Sequence, residues 1–282
     1  MLIKRIITGT VLFAASFFLI MWGNIPFAFE IAVIIFMSIK EFYNLALHRY
    51  LNDLSPSTNF AIFSGIALTV SAVIGGPQYG ETYLYRTLVV LIILNLIIFM
   101  FRKNYHKSPY GDIGVTIFGI LYIAVTMNFL LLTRMIPGNL IIFDHIIQKG
   151  PYLVIVSMTA VTSCDVGAFF IGKLFGKIRV WPSISPRKTL AGTIAGILSP
   201  VIVCFYMCKP LNLPFYMLIV FGLSVGIFAQ LGDLFESWLK RDVGVKDSGN
   251  ILAGHGGFMD RFDSYYFTAP VSYFIFKVLF KL

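Results

Sequence analysis

Charge is scarce in this chain: of 282 residues only 12% are Asp, Glu, Lys or Arg, against about 25% in an average soluble domain. That excludes a disordered polyelectrolyte and an ordinary water-soluble enzyme. Cysteine is scarce as well. Cys164, Cys204 and Cys208 all lie inside apolar stretches, and an odd count without short-loop spacing excludes a disulfide-stapled secreted module. The i, i+4 pair Cys204/Cys208 reads as packing on one helix face. Long polar stretches are missing too. None exceeds about 30 residues, and below about 40 a soluble domain rarely folds alone. His48, His106 and His145 are isolated and carry no message.

What the chain has in excess is apolar side chains, 58% of the total, with a mean hydropathy of +0.84. Only lipid can take so much apolar surface, so the expected fold class is an all-α, polytopic integral membrane protein. A helix crosses the hydrocarbon core with about 20 residues. Runs of that kind predict about nine transmembrane helices, over 6–22, 25–40, 60–76, 86–101, 113–133, 151–172, 189–208, 213–235 and 265–280. Glu30 interrupts the second. The first is too long for a signal-peptide core and reads as a retained span. With the N-terminus inside, sixteen of the 22 Lys and Arg fall at cytoplasmic ends, which places the C-terminus outside. Basic residues spread over loops in this way make no nucleic-acid surface.

Polar chemistry divides the chain. Residues 1–150 read as N-terminal transmembrane helices, and residues 151–282 as C-terminal helices whose cytoplasmic loops build a polar cleft. Six of the thirteen acids lie between 233 and 263. Asp165 sits within the sixth span, where a carboxylate costs roughly 2.5–3.5 kcal/mol and should face the bundle interior. Asp233 and Glu236 share a helix face at i, i+3 and repel, so the pair needs a cation. Asp260 and Asp263 repeat that spacing. Such hard oxygen ligands suit Mg2+ held partly by substrate phosphates, with carboxylates enough for a second cation. Lys240, Arg241, Lys246 and Arg261 offer positive charge to phosphate oxygens. Gly254, Gly256 and Gly257 let backbone approach a ligand. Ahead of the seventh span, Ser185-Pro186-Arg187-Lys188-Thr189 reads as a proline-fixed turn entering a helix N-terminus, a reasonable anion site. Acids for a metal and bases for phosphate at a membrane surface point to phosphoryl or nucleotidyl transfer involving a lipid.

Ser237, Lys240, Arg241, Lys246, Asp247, Ser248, Gly254, His255, Gly256, Gly257, Asp260, Arg261 and Asp263 stand at spacings that resemble, without a gap, the signature of the phosphatidate cytidylyltransferase (CDP-diacylglycerol synthase) family. Gly232-Asp233-Leu234, Asp165 with Gly167-Ala168, and Ser185 to Thr189 resemble it too. There are two departures: Ala253 stands where the family usually has Pro, and Ala191 where it commonly has Glu. The resemblance implies that CTP and phosphatidic acid give CDP-diacylglycerol and pyrophosphate, in phospholipid biosynthesis at a cytoplasmic membrane. It implies catalytic roles for Asp233, Lys246, Asp247, Asp260 and Arg261. Metal-binding roles fall to Asp233, Glu236, Asp260 and Asp263. Substrate binding falls to Asp165, Ser185, Lys188, Lys240, Arg241, Ser248, His255, Gly256 and Gly257. His255 reads as a positioning group, because a phosphate monoester is already largely ionised near neutral pH. Two other readings remain at this stage: a CTP-dependent enzyme acting on another lipid phosphate or a polyprenol, and an ion or metabolite transporter. No internal repeat of the transporter kind is visible. A homodimer is left open.

Overall fold

The computed structural model describes residues 13–50, 54–102, 108–249 and 256–282, without the side chains of residues 49 and 50. His255, Gly254, Ala253 and the beginning of the first expected span lie outside the described residues. The described residues are 79% helical. Among the described residues five helices are long and apolar enough to cross a membrane: Thr58–Met100, Pro109–Arg134, Lys149–Phe175, Leu190–Met207 and Phe215–Asp242. The helical membrane class therefore holds, while the count of nine spans is not established.

Packing groups the chain into two compact units, Met1–Leu132 with Val243–Arg261, and Thr133–Asp242 with Phe262–Leu282. This differs from the polarity change near residue 150, because residues 243–261 join the N-terminal helices. The first unit contains α1 (Phe13–Trp22), α2 (Asn24–Tyr50), α3 (Thr58–Met100) and α4 (Pro109–Gly119). A π-helical stretch, Ile120–Val125, carries α4 into α5 (Thr126–Arg134). Ser108 caps α4 by accepting the Gly111 N–H at 3.1 Å, which satisfies one of the donors a helix start leaves open. Glu30, the residue that interrupts the second span, accepts a hydrogen bond from Ser16 on α1.

Two of the expected spans, 60–76 and 86–101, share α3, which is broken at Gly76, with φ 62°. A side chain on Gly75 would come within 2.8 Å of the Gly80 backbone, an approach that no continuous helix permits at five residues' separation. Glycine at 76 adopts the positive φ without steric cost, and Pro77 restarts the helix where its missing N–H is not needed.

The second unit contains β1 (Asn139–Ile142), β2 (His145–Gln148), α6 (Lys149–Phe175), β3 (Arg179–Trp181), β4 (Ser185–Thr189), α7 (Leu190–Met207), α8 (Phe215–Asp242) and α9 (Asp263–Phe274). The two antiparallel hairpins are additions to an all-α scheme. Ser185–Thr189, expected as a turn, is a strand with Arg179 opposite Thr189 and Trp181 opposite Ser185. Pro186 is compatible with it because each strand of a two-stranded ribbon has an open edge. Thr189 then caps α7, accepting the Gly192 N–H at 3.3 Å.

Side chains are distributed as in a lipid-solvated bundle. Ile194, Leu198 and Ile202 form an exposed i, i+4 row on α7, and Phe169, Phe170 and Leu174 are exposed on α6. Inside, small and polar residues such as Ser64, Thr69, Asn95, Ser157 and Ser272 are buried. Helices in lipid associate by close packing and polar contacts rather than by burying apolar area.

Candidate active site

Within the second unit, α6, β4, α7 and α8 enclose a cavity of about 680 Å³. Its polar wall carries Asp165, Lys173, Ser185, Arg187, Lys188 and Asp233, and Phe169 and Ala168 make an apolar wall. The hairpin puts Lys188 there. Its Nζ lies 3.0 Å from Asp233 Oδ2 and 3.4 Å from the Gln230 carbonyl oxygen. Gln230 in turn donates to the Thr193 carbonyl oxygen at 2.8 Å, tying α8 to the first turn of α7. Ser237 Oγ donates to Asp233 Oδ1 at 3.3 Å. Arg241, expected at substrate, donates from Nε to the Ile184 carbonyl oxygen at 3.1 Å and so pins the hairpin that presents Lys188.

The i, i+3 acids of α8 do not share one environment. Asp233 faces the cavity, whereas Glu236 is fully buried with Lys240 Nζ 3.1 Å from its Oε1. Each acid is paired with a different lysine, Asp233 with Lys188 and Glu236 with Lys240. Lys240, expected to hold substrate phosphate, is itself buried in this pair. Asp263 opens α9 beside α8: a side chain on Gly232 would come within 2.5 Å of the Asp263 carbonyl oxygen. Burial, and next the carboxylates of Asp233 and Asp165, push the Asp263 carboxyl up to about 8, against the lowering effect of the Ser264 N–H and Lys240. The Asp263 carboxyl thus feels the charges of Asp233 and Asp165.

In the first unit the signature segment is organised around two carboxylates. Asp260 Oδ2 accepts the Ser248 N–H at 3.0 Å and the Gly257 N–H at 2.8 Å. Glu41, on α2, is 1% exposed and accepts Ser248 Oγ–H at 2.9 Å and the Phe258 and Met259 N–H groups at 2.8 Å each. Lys246, Asp247 and Arg261 are exposed on the same segment, and Gly256 has φ +79°. The sequence reading did not single out Glu41. Its signal was faint: a Lys40-Glu41 pair at the end of an apolar run, which looks like an ordinary span boundary.

Gly257 was expected to bring backbone close to a ligand. What it accommodates is protein: a Cβ there would lie 1.9 Å from Ser248 Oγ and 2.6 Å from Glu41 Oε2. Gly257→Ala is therefore expected to cost about 1–3 kcal/mol through overpacking. Faster hydrogen exchange over 256–261 would register it, and wild-type exchange would show that the segment adapts without strain.

Among the described residues no three His, Cys, Asp or Glu side chains are arranged to hold a metal ion by themselves. Mg2+ does not demand such a cage, since it usually takes one or two carboxylates and completes its shell with water and phosphate. Asp233 and Asp165, which line the cavity beside Lys188, fit that manner of binding. All three Cys residues are buried and unbridged.

Lysine, arginine and carboxylate gathered in a cavity among lipid-facing helices are the equipment of a membrane transferase that handles phosphates. Residues 3–279 match the Cytidylyltransferase family, and the chain belongs to it. It is 31% identical over 278 residues to the phosphatidate cytidylyltransferase of Bacillus subtilis, covering 96% of both chains. The enzyme of the same name from Staphylococcus saprophyticus is 31% identical over 238 residues, covering 84% of each. That of Synechocystis is 28% identical over 294 residues, covering 98% of this chain and 97% of the relative. Family membership makes the protein a nucleotidyltransferase, and the transporter reading falls away.

Proposed function

We propose that this protein forms CDP-diacylglycerol and pyrophosphate from CTP and phosphatidate at the cytoplasmic face of the inner membrane. The observation that carries the reading is the cavity in which Lys188 and Asp233 meet beside Asp165, with an apolar wall at Phe169. Cationic side chains suit the phosphates, and the wall suits a lipid. A phosphatidate oxygen attacks the α-phosphorus of CTP, a new P–O bond forms, and the bond to the departing pyrophosphate breaks. Lys188, Arg187 and Lys173 hold phosphate oxygens and offset their charge. Asp233, with Asp263 and Asp165, would hold Mg2+, which when bound neutralises the triphosphate. Asp260, with Lys246, Asp247 and Arg261, is the contribution of the signature segment to the same reaction. The phosphatidate oxygen is already ionised, so the residues have to orient it more than deprotonate it.

Purified protein is expected to transfer radiolabel from α-labelled CTP into lipid only with phosphatidate and a divalent cation present, and EDTA should stop the transfer. Unchanged substrates across a magnesium titration, in a folded preparation, would count against both the substrates and the cation.

A further inference from the structure

Glu41 lies 207 residues before its hydroxyl partner Ser248, outside the acid-rich stretch 233–263. Both its oxygens are committed to the signature segment: Oε1 to the Phe258 N–H, and Oε2 to Ser248 Oγ–H and the Met259 N–H. These donors flank the groups that hold Asp260, because Ser248 and Gly257 give their N–H groups to Asp260 Oδ2. A second observation, from steric fit, points to the same residue. A Cβ on Gly249 would lie 2.6 Å from Glu41 Oε1, and one on Gly257 would lie 2.6 Å from Oε2. Both glycines thus leave room for this carboxylate.

We infer that Glu41 is a positioning residue for the cytidylyl transfer, clamping residues 248–249 to residues 257–259 so that Asp260 is presented in one geometry. The inference rests on the proposed reaction for its kinetic consequence and on the hydrogen bonds alone for its structural one. A carboxylate suits the task because it accepts at both oxygens, while three donors converge on it. Glutamine keeps the shape and replaces one acceptor by a donor, which sets N–H against N–H or O–H. Shifting a reacting group by about 1 Å can cost about 10²-fold in rate.

Glu41→Gln is therefore expected to lower kcat roughly 10²-fold while KM for CTP stays near wild type. Hydrogen exchange should accelerate over 256–261 and remain unchanged in α6, α7 and α8. Ser248→Ala removes one of the three donors and is expected to give a smaller loss with the same pattern. Should Glu41→Gln fail to fold, Ser248→Ala and Glu41→Asp carry the test, since both leave a carboxylate in place. Wild-type kcat in all soluble variants, or exchange over 256–261 that does not change, would overturn the clamp. Faster exchange with no transfer activity even in the wild-type protein would instead sink the proposed reaction and leave the clamp standing.

Discussion

Asp260→Asn is expected to reduce transfer by roughly 10²–10³-fold, the scale on which removing one preorganised electrostatic group acts. The substitution is chosen because it leaves the architecture intact. Asp260 Oδ2 accepts from Ser248 N–H at 3.0 Å and Gly257 N–H at 2.8 Å, and an asparagine carbonyl oxygen can accept both. What disappears is the charge. Thermal stability and exchange over 256–261 should therefore match wild type, while label transfer from CTP into lipid collapses. Full turnover in a folded Asp260→Asn variant would remove this carboxylate from the chemistry. Loss of turnover together with loss of protection at 256–261 would reduce Asp260 to a scaffold for the segment.

Lys240→Met should give the largest loss of stability. Glu236 is 0% and Lys240 8% exposed, with Nζ 3.1 Å from Oε1. Removing one member of such a pair strands the other in a medium that solvates charge poorly, at a cost of about 3–5 kcal/mol. For a chain of this size that corresponds to a fall of roughly 10 °C in the unfolding midpoint. The double variant Glu236→Leu/Lys240→Met should recover much of it, since a buried pair replaced as a whole by apolar side chains is often close to neutral. Midpoints measured in detergent by intrinsic fluorescence will distinguish the cases. An unchanged midpoint with lost turnover would return Lys240 to the phosphate-binding role suggested by its place in the signature.

Much of the second unit's chemistry was legible because charge in an apolar run is costly and therefore informative. Asp165, Lys188 and Asp233 were named from sequence, and they line one cavity. The partners were less legible. Spacing placed Asp233 and Glu236 on one face, yet Asp233 lines the cavity while Glu236 is buried, and each acid met a different lysine. The Ser185–Thr189 segment looked like a turn because proline dominates local expectation; pairing with Arg179–Trp181 overrides that preference. A shared helix range for two spans was invisible as well, since Gly75-Gly76-Pro77 reads equally as a loop or a break.

By itself the sequence determined the medium, the helical class, the family and most of the charged groups, because these follow from composition and from short-range spacing. Only the tertiary structure decided which acid meets which base, that a strand presents Lys188, and that Glu41 closes on a segment more than two hundred residues away. The reason is geometric: a hydrogen bond is made within about 3 Å, and no local pattern records which distant donors the folded chain brings inside that distance.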